Sequence, residues 1–223
     1  MKRIGVLLPA YNEEKNIRSV IRETKRILPG VKIVVVDDGS KDRTFEIAKS
    51  ENVIVLKHKK NMGKGEALKT GFRFFSRRVN AVVVIDADRQ YPVRYAKKIL
   101  EGLEEADYVT GYRLPSDVPY ANRMGNFVWR EVFNLLFGTK LKDSNCGFVG
   151  LNRKAMEKIK NIHGGYIIEN AMMADAVRSG LKVKQVPVRV TYGKRKVSKF
   201  ARMFFGVLFF IFKEGLKYRL ERI

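Results

Sequence analysis

Residues 4–40 read IGVLLPAYNEEKNIRSVIRETKRILPGVKIVVVDDGS, and three patterns follow one another in this segment. Ile4 to Leu8 and Lys32 to Val36 are short apolar runs rich in β-branched residues, which predicts two buried strands. Between them apolar residues recur at helical spacing as far as Leu28, and Pro29-Gly30 ends the predicted helix. A strand, a helix and a strand of these lengths predict a parallel βαβ unit.

The same alternation continues towards the middle of the chain. We predict further buried strands from Val53 to Leu56 and from Ala81 to Ile85. Helical patterns run from about Asp42 to Lys49 and from about Ala67 to Phe75. This rhythm predicts an α/β fold with a mostly parallel, doubly wound, Rossmann-like sheet and helices on both faces. In such sheets ligands bind at the carboxyl ends of the strands.

The second half of the chain is less regular. We predict helices from about Ala121 to Phe137 and from Tyr166 to Ser179, and a strand from Gly147 to Leu151. The residues from Val186 to Tyr192 alternate like a strand with one buried face, and Pro187 predicts that this strand lies at a sheet edge.

The composition limits the class of protein. The 223 residues include 45 Lys and Arg against 23 Asp and Glu, which gives a net charge of +22, and 45% of the residues are hydrophobic. That hydrophobic content excludes a disordered chain. A single cysteine excludes an intrachain disulfide, and two histidines leave no zinc site of the usual Cys/His spacing. We therefore expect a globular protein of a reducing compartment with anionic partners.

No targeting or membrane-spanning segment is expected. The apolar run before Pro9 is too short for the core of a signal peptide. The longest apolar run, Met203 to Phe212, is shorter than the roughly 20 residues that a membrane-spanning helix needs. The sequence therefore predicts a cytoplasmic protein.

Two polar motifs follow the first two predicted strands. Pro9 to Glu14 reads PAYNEE, and Asp37 to Asp42 reads DDGSKD. Tyr11 offers a ring that can stack on a base, and the paired aspartates can accept hydrogen bonds from ring N–H groups and ribose hydroxyls. Because both motifs fall at adjacent strand ends, we predict a nucleoside site. The alternative is that their polar side chains only cap helices.

Two further motifs suit a diphosphate. Asn61 to Gly65 reads NMGKG and opens a predicted helix, so Lys64 can meet a phosphate, although a plain glycine-rich turn is the alternative and the spacing is not that of a P-loop. Asp86-Ala87-Asp88 ends the fourth strand, with Gln90 two residues further on. These side chains offer the hard oxygen ligands that Mg²⁺ or Mn²⁺ prefers, whereas an isolated Asp-x-Asp is often only a solvated turn.

These motifs, in this order, resemble those of family 2 glycosyltransferases with the GT-A fold. Asp143 to Phe148 (DSNCGF), Val186-Pro187-Val188 and Ser198-Lys199 are similar to the branch of polyprenyl-phosphate (dolichyl-phosphate) mannose or glucose synthases. The resemblance extends over nearly the whole chain. It implies an inverting, metal-dependent enzyme that moves mannose or glucose from a GDP- or UDP-linked donor to a polyprenyl phosphate at the inner membrane face, with Mg²⁺ or Mn²⁺ as cofactor.

The resemblance also implies roles for individual residues. The positions that match the nucleotide-sugar site are Pro9, Tyr11, Asn12, Glu13, Asp37, Asp38, Lys64, Asp86, Ala87 and Arg113. The metal ligands are expected to be Asp86, Asp88 and Gln90. Groups for the donor and acceptor phosphates are expected at Arg130, Arg195, Ser198 and Lys199. Asp86, Asp88 and Asp143 are the expected catalytic residues, and Glu169 matches a recurrent acid that touches the sugar or caps local structure.

The carboxylates of the second half bear on the acceptor. A phosphate monoester is already an anionic nucleophile at neutral pH, whereas a hydroxyl acceptor needs a general base, normally a carboxylate. The second half has no clear Glu-Asp or Asp-Asp pair, and Asp143, Asp175 and Glu169 stand as isolated carboxylates. This favours a phosphate acceptor, with Asp143 as the base if the acceptor is instead a saccharide or other hydroxyl compound.

The C-terminal segment concentrates positive charge. Residues 178–223 hold 13 basic and two acidic residues, a net charge of 13 − 2 = +11. We expect residues 1–199 to form the catalytic domain and residues 200–223 an amphipathic basic helix that contacts an anionic membrane. The alternative is that this helix packs on the catalytic domain or on a second subunit. A nucleic-acid-binding protein is a further alternative for so basic a chain, but no recognised nucleic-acid module is present.

Overall fold

The computed structural model describes residues 3–162, 164–191 and 200–222, in which seven strands and eight α-helices are found. The strands are β1 (Ile4–Ala10), β2 (Lys32–Asp37), β3 (Ile54–Lys57), β4 (Ala81–Val84), β5 (Tyr108–Arg113), β6 (Val149–Asn152) and β7 (Val183–Val188). The helices are α1 (Ile17–Ile27), α2 (Thr44–Ser50), α3 (Lys64–Phe75), α4 (Ala96–Gly102), α5 (Tyr120–Phe137), α6 (Arg153–Lys158), α7 (Ile168–Arg178) and α8 (Phe200–Leu220).

All seven strands form one sheet in the order β3-β2-β1-β4-β6-β5-β7. β1 to β4 are parallel to one another, β6 runs antiparallel between β4 and β5, and β7 is parallel to β5. The predicted, mostly parallel sheet is therefore confirmed. The register pairs Ala10 with Asp37 and Leu7 with Val84, so the segments that follow β1, β2 and β4 emerge at one edge of the sheet.

Both faces of the sheet are buried, as the apolar strands predict. Leu7 and Val34 lie on the face that packs against α3, α5, α7 and α8. Val6 and Val35 lie on the opposite face, which α1 and α4 cover. Helices on both faces leave the carboxyl ends of the strands as the open edge of the sheet.

The second half differs from its prediction in detail. The strand predicted from Val186 to Tyr192 is observed at Val183–Val188, because its partner β5 ends at Arg113, which pairs with Val188. β7 is an edge strand, as Pro187 predicted. The strand predicted from Gly147 begins at Val149. β5, α4 and α6 were not predicted.

Helix α8 packs against α5 and α7. The indole Nε1 of Trp129 donates a hydrogen bond to the carbonyl oxygen of Phe204 at 3.1 Å. Val207 and Ile211 are buried in the same core as Leu7, so α8 shares the apolar core of the sheet. Within the described ranges, no helix has the length and apolar character needed to cross a membrane.

Candidate active site

A cleft of about 340 Å³ lies at the carboxyl ends of β1, β2 and β4. Its lining residues are Pro9, Ala10, Tyr11, Glu13, Asp38, Asn61, Gly63, Lys64, Ala67, Asp86, Ala87 and Asp88. The cleft therefore brings together residues from all four polar motifs of the first half. Asn12, Asp37, Gln90, Arg113, Arg130 and Asp143, which were also predicted as site residues, are not among its lining residues.

The wall around Tyr11 is built from the two loops that follow β1 and β2. Asn12 adopts a positive φ of 55°, and its side-chain oxygen accepts a hydrogen bond from the backbone N–H of Lys41 at 2.9 Å. Its own N–H donates to the hydroxyl of Ser40 at 2.9 Å. Asn12 thus ties the loops together, and the Tyr11 ring remains 40% exposed beside the cleft. An exposed, well-anchored ring is suited to stack on a base.

Asp38 organises the loop that leads into α3. Its carboxylate accepts hydrogen bonds from the backbone N–H groups of Met62 at 3.0 Å and Gly63 at 2.7 Å. The Nδ1 of His58 lies 2.7 Å from the same carboxylate. Gly63 has φ of 92°, a left-handed conformation that favours glycine. These contacts fix the turn that places Lys64 at the first residue of α3.

Asp37 is fully buried behind Asp38. One of its oxygens accepts a hydrogen bond from the backbone N–H of Ser40 at 3.1 Å. The other has no hydrogen-bond partner among the described residues, and the Nζ of Lys57 is 3.9 Å from it. The predicted contact between Asp37 and the nucleotide stays a prediction, because this side chain does not line the cleft.

The ammonium group of Lys64 lies between two carboxylates. Its Nζ is 2.9 Å from Oδ1 and 3.0 Å from Oδ2 of Asp86, and 3.4 Å from Oε1 of Glu169 on α7. Burial alone would lower the pKa of Lys64, but the attraction of the two anions outweighs it and raises that pKa above its usual value. Lys64 therefore stays cationic at neutral pH, in the part of the cleft that Asp86 lines.

Gly147 lies against this charged cluster. A Cβ added at Gly147 would lie 3.1 Å from Nζ of Lys64, 3.1 Å from Oε1 of Glu169 and 3.2 Å from Oδ2 of Asp86. Gly147 was not predicted as a site residue, and Glu169 was predicted only through the family resemblance, not from a local pattern. Glu169 is 105 positions from Lys64 in sequence, so only the fold brings the two together.

The end of β4 fits a divalent cation that arrives with a diphosphate. Asp86 and Asp88 both line the cleft, and Oδ1 of Asp88 accepts a hydrogen bond from the backbone N–H of Gln90 at 3.0 Å. In the described part of the chain, no group of three or more His, Cys, Asp or Glu residues is arranged to hold a metal ion by itself. Mg²⁺ in phosphate sites is commonly held by one or two carboxylates, with substrate phosphates and water as the other ligands. The two aspartates match that donor set.

Arg113 and Asp143, which do not line the cleft, form a buried ion pair. Nε of Arg113 is 2.7 Å from Oδ2 of Asp143, and Nη2 is 2.9 Å from Oδ1. The pKa of Arg113 is raised, because the adjacent Asp143 outweighs the effect of burial. Both oxygens of the Asp143 carboxylate thus accept a hydrogen bond from the guanidinium, a bidentate geometry that holds the two side chains together. This pairing therefore argues against Asp143 as a general base and against Arg113 as a mobile phosphate ligand.

Of the remaining predicted phosphate ligands, the structure describes only Arg130. Arg130 is on α5, where it pairs with Glu131 at 2.5 Å and stacks over the ring of Phe127, 5.0 Å from its centroid. Arg195, Ser198 and Lys199 fall outside the described residues. The roles assigned to these four residues stay predictions.

Comparisons with known proteins agree with the chemistry of this cleft. The sequence profile described as Glycosyl transferase family 2 matches residues 5–160. A dolichyl-phosphate hexose transferase of Haloferax volcanii is 30% identical over 204 residues, which cover 89% of this chain and 88% of that protein. The polyprenol monophosphomannose synthase of Mycolicibacterium smegmatis is 28% identical over 242 residues, which cover 99% of this chain and 90% of that protein.

Solved structures of a glycosyltransferase share the fold. The crystal structure of glucosyl-3-phosphoglycerate synthase from Mycobacterium tuberculosis with Mn²⁺, uridine diphosphate and glucosyl-3-phosphoglycerate has a TM-score of 0.78 at 21% identity. The match covers 96% of this chain and 80% of that one. The likeness concerns the architecture and confirms the predicted GT-A fold.

Proposed function

This chain belongs to glycosyl transferase family 2, and from that premise we propose that it transfers a hexose from a nucleotide diphosphate sugar to a polyprenyl phosphate. The observation that carries the proposal is the position of Asp86 and Asp88 in the same cleft as Tyr11 and Lys64. One cleft thus offers a stacking surface for a base, a cation for phosphate oxygens and carboxylates for a divalent metal ion.

In this proposal the nucleotide sugar lies along the cleft. Tyr11 holds the base at one end, and Lys64 draws the diphosphate towards the end of β4. Asp86 and Asp88 would hold Mg²⁺ or Mn²⁺ there, and such an ion supplies Lewis-acid stabilisation of the negative charge that develops on the departing diphosphate. An oxygen of the acceptor phosphate attacks the anomeric carbon from the side opposite the diphosphate. The new C–O bond forms as the bond to the diphosphate breaks, so the nucleoside diphosphate leaves with the electron pair and the configuration at that carbon is inverted.

The contacts of the candidate general bases support a phosphate acceptor. Glu169 is bound to Lys64, and Asp143 is bound to Arg113. Both carboxylates are therefore poorly placed to remove a proton from a hydroxyl group. A phosphate monoester needs no such base at neutral pH. The names of the Haloferax and Mycolicibacterium relatives point to the same class of acceptor.

Helix α8 supports a peripheral position at the membrane that holds the lipid acceptor. Large apolar side chains recur at spacings of three or four residues along its exposed side, where they form what we call the α8 stripe. The stripe consists of Phe205, Phe209, Phe212, Leu216 and Leu220. Lys213 and Lys217 are exposed on the same helix and suit anionic headgroups.

Transfer to lipid tests the proposal directly. We expect labelled hexose from a GDP- or UDP-linked donor to enter a lipid extract when polyprenyl phosphate and Mn²⁺ are supplied, and to be released by mild acid. Asp88→Asn should reduce this transfer by about a hundredfold or more, because electrostatic stabilisation of the leaving group is lost. Glu105→Gln, which alters an exposed pair with Lys184, is the matched control. Label found only in a saccharide or other hydroxyl acceptor would contradict the phosphate acceptor.

A further inference from the structure

We propose that Lys64 is a built-in counter-ion that occupies Asp86 in the ligand-free enzyme, opposes the binding of a free divalent ion, and moves to the diphosphate when the donor enters. This proposal rests on the proposed function, since it requires a divalent ion and a diphosphate at the end of β4. It adds that the binding of the metal ion and the binding of the nucleotide depend strongly on each other.

The ammonium group of Lys64 already pairs with the carboxylate that the metal ion would need, that of Asp86. Its Nζ lies within 3.0 Å of both oxygens of Asp86. A divalent ion that binds Asp86 must either displace this ammonium group or accept a like charge a few ångströms away. In a partly buried cleft that repulsion weakens binding by about tenfold or more.

Glu169 gives the ammonium group a second anchor. Its Oε1 is 3.4 Å from Nζ, on the side of the cluster that α7 supplies. A lysine side chain carries its charge on a flexible stem of four carbons. When Asp86 turns to a metal ion, Lys64 can therefore stay near Glu169 while it reaches a phosphate oxygen. Glu169 is thus a positioning residue for Lys64.

The neighbouring Lys69 shows what an ordinary surface pair on the same helix looks like. Lys69 contacts Glu66 at 2.7 Å, and both side chains are more than a third exposed. Lys64, in contrast, lines the cleft and contacts a predicted metal ligand. Replacing Lys69 removes the same charge from α3 without touching the cluster, which makes it a matched control.

The test is a titration of Mn²⁺ followed by the electron paramagnetic resonance of the free ion, with and without uridine or guanosine diphosphate. We expect Lys64→Met to tighten Mn²⁺ binding in the absence of nucleotide by about tenfold or more. The same variant should weaken metal-free binding of the nucleoside diphosphate by about tenfold, because a phosphate contact is lost. The factor by which nucleotide enhances Mn²⁺ binding should therefore fall, whereas Lys69→Met should behave as the wild type does.

The outcomes separate this inference from the proposed function. Unchanged or weaker Mn²⁺ binding by nucleotide-free Lys64→Met, with normal binding of Mn²⁺ and nucleotide by the wild type, would overturn the counter-ion role alone. If the wild type bound no Mn²⁺ even with either nucleotide, the proposed metal site would fall and the inference with it. Lys64→Gln, which keeps a polar group of similar reach, replaces Lys64→Met if that variant does not fold.

Discussion

At the scale of single residues, Gly147 lets the three side chains of the charged cluster come close together. Its missing side chain leaves room for Lys64, Asp86 and Glu169 to meet, since a Cβ would lie 3.1 to 3.2 Å from an atom of each. These atoms are the ends of flexible side chains, so they can yield by a few tenths of an ångström. A substitution here should therefore change the geometry of the site more than the stability of the fold.

We accordingly expect Gly147→Ala to lower kcat/KM by about tenfold, because small displacements of positioning groups are costly in catalysis. Its thermal unfolding temperature should stay within a few degrees of the wild type. Gly164→Ala is the matched control, because a Cβ added at Gly164 would meet no atom of the described residues within 4 Å and its φ is an ordinary −73°. Equal kcat/KM for the two variants would show that the cluster tolerates crowding.

At the scale of secondary-structure elements, Asp107 joins the start of β5 to the end of β6 and the start of β7. Its carboxylate accepts hydrogen bonds from the side chain of Asn152 in β6, the ammonium group of Lys154 and the backbone N–H of Lys182 before β7, at 2.9, 2.9 and 3.0 Å. Burial alone would raise the pKa of Asp107, but these donors outweigh it and lower that pKa to about 2. The ionised form is thus the one that holds the strands together.

The direction of the pH effect follows from this lowered pKa. Protonation is easier in the unfolded chain than in the folded one, so Asp107 contributes stability above about pH 4 that is lost as the pH falls towards 2. The contribution is about 1 to 2 kcal/mol after allowance for solvent screening. We expect Asp107→Asn to lower the free energy of unfolding by this amount at pH 7 and by much less at pH 2, as measured by urea denaturation. An equal loss at both pH values would contradict the ionic role.

The elements also show what the sequence allows one to predict. β1, β2 and β4 were predicted to within two residues at either end, because a strand buried on both faces is a continuous apolar run that needs no knowledge of its neighbours. β5 was missed because its sequence, YVTGYR, mixes polar residues and glycine. Its conformation depends on β6 and β7, which are distant in the chain.

The same distinction applies to the site. Local motifs identified four cleft residues, because each stands within two residues of a strand end or at the start of a helix: Tyr11, Asp38, Lys64 and Asp86. The fold brings all of them to one cleft. The pairing of Arg113 with Asp143 and of Lys64 with Glu169 could not be predicted. These ion pairs join segments whose approach is decided by the packing of α7 and the second half of the sheet.

At the scale of the whole molecule, the catalytic cleft and the α8 stripe belong to one body. Val207 and Ile211 of α8 are buried in the core that also contains Leu7 of β1. Arg178 of α7 contacts Glu214 of α8 at 2.5 Å. Deleting α8 would therefore expose core surface. Weaker membrane binding by such a variant could then reflect loss of folding as well as loss of membrane contact. Substitutions on the exposed stripe avoid this problem.

We expect the double variant Phe205→Ser, Phe209→Ser to bind anionic vesicles at least about tenfold more weakly than the wild type, because each exposed phenyl ring contributes apolar area to the interface. Its thermal unfolding temperature should be unchanged, since both rings are more than 60% exposed. Vesicle co-sedimentation measures the binding, with neutral vesicles as the control for lipid charge. The net charge of +22 predicts that wild-type binding also weakens as salt is added. Undiminished binding by the double variant would mean that the α8 stripe does not face the membrane, and that another surface of this basic protein brings the cleft to its lipid acceptor.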